Sequence, residues 1–140
     1  VTAGIRLLPG VRGDGTPQIS RLSLRPLVCP DNLKRFTDLA CSAIILTPDE
    51  RLRYARTRQK ASHLAKRFAA KEAFSKAIGT GIRAPFRWHS VSVGRDGHGK
   101  PGLVPSPDMA LHLAGLGVTA SHLSLTDDAG VAMAFVVLEG

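Results

Sequence analysis

The sequence predicts an α+β domain in which helices pack on a mainly antiparallel sheet, and three observations predict it. The chain has 140 residues, 44% apolar and 21% charged, which suits one globular domain that buries roughly two-thirds of its unfolded surface. Residues 47–78 carry a helix start followed by the most helix-favouring stretch of the chain. Two strand–turn–strand patterns come after it, at 88–104 and 122–138. No internal repeat is visible, so the elements build one core.

The first 30 residues read differently from the rest. Pro9, Pro17, Pro26 and Pro30, with Gly4, Gly10, Gly13 and Gly15, interrupt any periodicity. They predict a short strand over 3–8 and irregular chain after it. Asp31 is placed to cap a helix carrying Leu33, Phe36, Leu39 and Ala40 at apolar-face spacing. Thr47-Pro48-Asp49-Glu50 is a helix start, with a threonine cap, proline at the first position and two acids in the first turn. The helix it opens carries Arg51, Arg53, Arg56 and Arg58. Residues 60–78 form the next helix, stopped by Gly79 and Gly81. A hairpin follows, with strands over 88–93 and 102–104 around a turn from Asp96 to Pro101. Ser106-Pro107-Asp108 opens a helix through Met109, Leu111, Leu113 and Leu116, closed by Gly115 or Gly117. Strands over 122–126 and 131–138 close the chain around Asp127-Asp128-Ala129-Gly130.

Composition excludes several classes. No apolar run approaches the ~20 residues that cross a bilayer, so no membrane partner is expected. Residues 1–8 lack a signal-peptide layout, and the expectation is a cytoplasmic protein. Two cysteines, Cys29 and Cys41, are too few for a disulfide scaffold and lack zinc-site partners, so both read as reduced structural thiols. Nineteen Lys and Arg against eleven Asp and Glu leave a net charge of +8, which favours an anionic partner. The seven aromatic residues are scattered and make a poor base-stacking platform. Of the histidines, His63 and His112 read as helix-surface residues, while His89 and His98 belong to the first hairpin. None has metal-ligand spacing. Trp88 reads as a core or edge residue.

Glu72 admits two readings. It lies four residues after Phe68, seven after Ala65 and eight after Leu64, on an apolar stripe of the 60–78 helix. Lys76 follows one turn later. The pair is either a surface i,i+4 ion pair or a carboxylate that holds Mg²⁺ beside a phosphate-neutralising lysine. A carboxylate that faces a core needs a cation, a metal or hydrogen-bond donors.

The words around Glu72 bear on that choice. The run Leu64-Ala65-Lys66-Arg67-Phe68-Ala69-Ala70-Lys71-Glu72-Ala73-Phe74-Ser75-Lys76-Ala77, followed by Gly79-Thr80-Gly81-Ile82, closely resembles the signature of holo-acyl-carrier-protein synthases. These are the small 4′-phosphopantetheinyl transferases. Ile45-Leu46-Thr47-Pro48-Asp49-Glu50 is similar to that family's upstream helix start, and Gly99-Lys100-Pro101 to its hairpin turn. His122-Leu123-Ser124-Leu125-Thr126 and Ala134-Phe135-Val136-Val137 resemble its closing hairpin. The resemblance covers about residues 44–140. It implies a domain over 31–140 with the phosphopantetheinyl transferase fold, preceded by an atypical segment over 1–30. It implies coenzyme A and Mg²⁺, and attack of a carrier-protein serine on the β-phosphate with release of 3′,5′-ADP, in fatty acid biosynthesis. Glu72 then matches the metal-binding glutamate and Lys76 the lysine at the diphosphate. Arg67 matches a position near the nucleotide, Lys100 and Pro101 the turn over the adenine side, and Ser124 a strand lining the site. An acidic acyl carrier protein would answer the +8 charge, with Arg51, Arg53 and Arg56 as steering charges. The resemblance also implies a homotrimer.

Two departures stand out. The family's opening strand ends in an aspartate that is the second metal carboxylate. Here Leu8 takes that place, or Ser23 when counted back without gaps from Thr47-Pro48. Neither is a carboxylate. Asp14, ahead of Ile19-Ser20-Arg21-Leu22, is the preferred substitute as a metal ligand, with Asp31 the other. An altered N-terminus that has lost the ligand is the remaining reading. Many members also read Ser-His where this chain has Thr126-Asp127. The sequence therefore predicts a Mg²⁺-dependent phosphopantetheinyl transferase. The alternatives are a degenerate member that binds coenzyme A or a carrier protein without turnover, and a basic nucleic-acid-binding domain.

Overall fold

The computed structural model describes the backbone of residues 2–11, 17–25, 27–28, 39–128 and 130–140, and the side chains of residues 42–128 and 130–140. Its strands are β1 (Thr2–Val11), β2 (Pro17–Arg25), β3 (Leu27–Val28), β4 (Val91–Arg95), β5 (Pro101–Pro105), β6 (Ala120–Asp128) and β7 (Val131–Glu139). Its helices are α1 (Leu39–Ile45), α2 (Pro48–Arg56), α3 (Lys60–Ala77) and α4 (Pro107–Gly115). The α+β expectation holds. Among the described residues all strand pairings are antiparallel except that of β1 with β7.

Strand β7 organises the main sheet. One edge pairs with β6 along its length, from Val131 with Asp128 to Glu139 with Ala120. The other edge pairs with β3 at Val131 and Ala132, then with β1 from Ala134 to Leu138. Strand β2 extends the sheet beyond β1. The irregular chain expected after residue 8 is therefore corrected by a long β1, a partner β2 and a short β3. Proline at the ends of strands and a register shift between Leu8 and Val11 let this Gly- and Pro-containing stretch pair despite its broken periodicity. Period-two alternation then shapes β7, where Ala132, Ala134, Val136 and Leu138 are buried while Met133 faces outward.

Helix α3 packs on this sheet through side chains small enough for close approach: Ala69, Ala70, Ala73 and Ala77 are all buried. Phe74 and Ile78 join Phe86, Val91, Val93, Met109, Leu123 and the inward face of β7 in one core. A smaller cluster of Ile45, Leu46, Tyr54 and Leu64 lies between α1, α2 and α3. The helix stops at Gly79, whose φ of 84° few other residues adopt. The first hairpin starts later than expected, at Val91, because residues 87–90 make a turn in which Ser90 N–H donates to the Arg87 carbonyl. Trp88 lies in that segment, half-buried, with its ring stacked on Phe68 at 5.2 Å. No helix among the described residues is long and apolar enough to cross a membrane.

Candidate active site on the third helix

Helix α3 is buried almost all round in its second half. From Arg67 to Ile78 every residue is buried except Phe68, Glu72 and Lys76. Those three are spaced four apart and share one strip of the helix. Among the described residues this strip is the partly open side of the second half of the helix, and an acid–base pair lies on it. The Glu72 carboxylate meets the Lys76 ammonium at 2.8 Å, with the side chains 23% and 31% exposed.

Glu72 does not face the core, as its stripe with Leu64 and Ala65 suggested. The face that enters the core runs through Leu64, Arg67, Lys71, Phe74 and Ile78. The core carboxylate is instead Glu50, 1% exposed, and its partner is Lys71, 0% exposed, at 2.7 Å. Lys71 Nζ also donates to the carbonyls of Ile45 at 2.6 Å and Trp88 at 2.8 Å. Glu50 accepts from Thr47 N–H at 2.9 Å and from Val93 N–H at 2.7 Å. Burial pulls the Lys71 ammonium below the usual lysine range, and the adjacent Glu50 carboxylate opposes that pull. Sequence reasoning missed both residues. Glu50 was legible only as the third helical residue of a capping box, and Lys71 only as a helix-favouring lysine. The spacing of Lys71, seven after Leu64 and three before Phe74, was the signal available.

The other expected site residues are spread over three places. Arg67 is 3% exposed, and its Nε has no hydrogen-bond partner among the described residues. Burial weakens its hold on its proton; Glu50 opposes this, while Arg95 and Arg53 add to it. Arg67 thus sits beneath the surface with arginines of α2 and β4 nearby. Lys100 and Pro101 line an open groove of ≈ 390 Å³ between the β4–β5 hairpin and β6, with Arg95, Leu103, Ser121 and His122. Their turn is fixed by Asp96, whose Oδ1 accepts from His98 N–H and Lys100 N–H, both at 2.9 Å. Ser124 is exposed on β6 opposite Phe135 and does not line that groove. Asp14 and Asp31 lie outside the described residues. Leu8 and Ser23 fall in β1 and β2, on described backbone.

Two further expectations change. Asp127 joins β6 to the start of α3. Its carboxylate accepts from the Ser62 hydroxyl at 2.5 Å and the Lys66 ammonium at 3.0 Å, which together hold it below the usual carboxylate range. His63 is not a plain surface residue. Its ring meets Tyr54 with centroids 5.9 Å apart, and its Nε2 is buried without a partner among the described residues. Burial, then the charges of Arg67 and Lys66, push its pKa down to about 4.

A divalent cation would find at this opening one half-buried carboxylate beside an ammonium. Among the described residues no group of three or more His, Cys, Asp or Glu could hold a metal by itself. That donor set fits Mg²⁺, which keeps several waters and is held by one or two carboxylates together with substrate phosphates. It does not fit a metal that needs an all-protein cage.

Comparison with known proteins identifies the family. A family model for the 4′-phosphopantetheinyl transferase superfamily matches residues 31–135. The holo-[acyl-carrier-protein] synthase of Thiobacillus denitrificans is 52% identical over 95 residues, covering 68% of this chain and 72% of that protein. The crystal structure of the Neisseria meningitidis holo-[acyl-carrier-protein] synthase superposes with a TM-score of 0.76 at 37% identity, over 81% of this chain and 93% of that one. The Bacillus anthracis enzyme, crystallised in complex with CoA (3′,5′-ADP), superposes with a TM-score of 0.66 at 33% identity, over 79% of this chain and 88% of that one. The chain belongs to the 4′-phosphopantetheinyl transferase superfamily and is an enzyme of the holo-[acyl-carrier-protein] synthase type.

Proposed function

We propose that the chain transfers 4′-phosphopantetheine from coenzyme A to a serine of apo acyl carrier protein, with Mg²⁺ and with release of 3′,5′-ADP. The observation that carries this reading is the strip Phe68–Glu72–Lys76, the half-buried side of a core helix, where a carboxylate and an ammonium meet at 2.8 Å. Glu72 would hold the cation, and as the serine oxygen bonds to the β-phosphate its proton passes to Glu72 directly or through water. Lys76 faces the diphosphate and balances the negative charge that gathers on it as the bond to the departing 3′,5′-ADP breaks. Bound Mg²⁺ supplies charge neutralisation between the phosphates. Arg67 supports the nucleotide from beneath and Lys100 and Pro101 cover its adenine side, while Ser124, outside their groove, faces the site from β6. Asp14 is the proposed second metal carboxylate. Little covalent chemistry is asked of the protein, so placement is its main contribution.

The acidic carrier protein docks against the exposed Arg51, Arg53 and Arg56 of α2, in the cytoplasm and in the service of fatty acid biosynthesis. Residues 31–140 form the transferase domain in this reading, supported by the family match over 31–135. A homotrimer is part of this reading. The test is the intact mass of apo acyl carrier protein after incubation with the chain, coenzyme A and Mg²⁺. The expected result is a gain of one phosphopantetheine that a chelator prevents. Coenzyme A binding without any gain would instead mark a member that binds and does not turn over, as Leu8 in the expected aspartate position would produce.

A further inference from the structure

We infer that Glu50 and Lys71 are positioning residues for the transfer, whose buried pair sets the rotation and depth of α3 so that Glu72 and Lys76 face the opening. The inference rests on the roles given to Glu72 and Lys76 above.

The pair connects more of the molecule than an ion pair needs to. The three N–H groups of Lys71 Nζ go to Ile45 at the end of α1, to Glu50 in α2 and to Trp88 before β4. The carboxylate of Glu50 takes the N–H of Thr47 at the α2 cap and that of Val93 inside β4. One ammonium and one carboxylate thus join α1, α2, α3 and β4 with bonds of 2.6 to 2.9 Å. Stability alone does not call for such a pair, because well-packed apolar residues of similar volume often serve a core as well or better.

Direction is what apolar packing would fail to supply here. The face of α3 against the sheet is largely alanine: Ala69, Ala70, Ala73 and Ala77. Single methyl groups interdigitate little, so they resist rotation or sliding of the helix weakly. Successive residues of an α-helix are about 100° apart around its axis. Lys71 directly precedes Glu72, so a modest rotation would carry Glu72 and Lys76 together off the opening and against a buried face. Directional hydrogen bonds from Lys71 to three separate segments block that rotation. The same knot holds Val93, and β4 continues from there into the turn that carries Lys100 and Pro101. The two groups of site residues therefore share one anchor.

The test uses the neutral double variant E50Q/K71M in the full chain, where the glutamine oxygen can still accept from Val93 N–H. Four quantities are read: the unfolding midpoint, kcat, the KM for apo carrier protein, and Mn²⁺ affinity in the presence of coenzyme A. The expected result is a cooperatively folded protein with a carrier KM like that of the parent chain. Its kcat and Mn²⁺ affinity should both fall about 10- to 100-fold. A merely structural role would lower the midpoint and leave kcat per folded molecule and Mn²⁺ affinity unchanged, and that result overturns the inference. Should E50Q/K71M not fold, E50D keeps both charges but shortens the arm that reaches Val93 and Lys71. Folded E50D at parental kcat and Mn²⁺ affinity overturns the inference equally. A parent chain that neither transfers nor binds Mn²⁺ overturns the proposed function and this inference together. An active parent with fully active variants overturns this inference alone.

Discussion

Helix α3 carries two lysine–glutamate pairs of nearly equal length and opposite character. Lys71–Glu50 spans 2.7 Å with side chains 0% and 1% exposed, and it joins two helices. Lys76–Glu72 spans 2.8 Å within one helix, with side chains 31% and 23% exposed. Distance does not separate them; solvent does. In the buried pair each charge has given up water and depends wholly on the other and on backbone groups, so it acts as a fixed joint. In the half-open pair either partner can exchange the other for water, a cation or a phosphate at little cost. One pair is suited to hold the helix and the other to meet a substrate.

The sharpest way to break this comparison is to remove one lysine from each. Lys71→Met leaves the Glu50 carboxylate buried without its cation, and the expected loss of stability is about 3–5 kcal/mol in urea unfolding. Lys76→Ala removes only a local pair, worth at most ~0.5 kcal/mol. A loss of equal size in both variants would mean that burial does not distinguish the pairs.

Activity should follow the opposite order. Glu72→Ala is expected to abolish Mg²⁺-dependent transfer with the unfolding transition intact. Lys76→Ala should lower kcat by about 100-fold, the scale for removing one preorganised charge partner of a transition state. Intact-mass assays of carrier protein at matched folded concentration measure both. Unchanged turnover in Glu72→Ala would remove that residue from the reaction.

The two pairs also differ in how legible they are. Lys76–Glu72 is written in sequence, because i,i+4 spacing on a helix makes two side chains neighbours whatever the tertiary structure. The capping box at Thr47, the glycine stop at Gly79 and the two closing hairpins are local in the same way, and the structure reproduces them. Glu50 and Lys71 are twenty-one positions apart, and only packing brings them together. A helix with alanine on several faces offers more than one apolar stripe. Leu64, Ala65, Phe68 and Glu72 make one, and Leu64, Arg67, Lys71, Phe74 and Ile78 make another. Hydropathy favours the first because the second contains two cations. The core takes the second because Glu50 and four backbone acceptors or donors satisfy the buried pair, and no periodicity records that. Strand β2 was missed for a related reason. Its apolar residues Ile19, Leu22 and Leu24 do not alternate regularly, because the register with β1 shifts between Ile19 and Arg21, and that pairing is a tertiary fact.

A smaller effect sharpens the part of the buried joint that is local. Thr47 contributes to it twice. Its N–H donates to Glu50 Oε2 at 2.9 Å, and its hydroxyl accepts from Glu50 N–H at 3.4 Å and from the Ser92 hydroxyl at 3.1 Å. Thr47→Ala deletes the hydroxyl and keeps the backbone donor to the carboxylate. The expected cost is about 1 kcal/mol, the usual price of an N-cap, and Thr47→Ser should recover most of it. A cost near that of Lys71→Met would show that the cap and the ion pair form one cooperative unit.

The smallest expected effect lies at His63, beside the same joint but outside both pairs. Burial and the cations Arg67, Lys66 and Lys60 disfavour its protonated form, with Glu50 pulling weakly the other way, and its pKa falls from 6.5 to about 4. The unfolded chain therefore binds this proton more readily than the folded one. Its contribution to stability is fully present above pH 6.5 and is lost as pH falls from there towards about 4, where the folded state takes up the proton as well. Replacing His63 by glutamine removes the titration while keeping a polar group next to Tyr54. Between pH 6.5 and 4 the unfolding midpoint of His63→Gln should then drop less steeply than that of the parent chain. The ring is only half-buried, so the difference in slope should be modest and confined to that interval. Parallel midpoint curves for the two proteins would show that His63 titrates as it does in water, and that the cationic surroundings of the buried pair do not reach it.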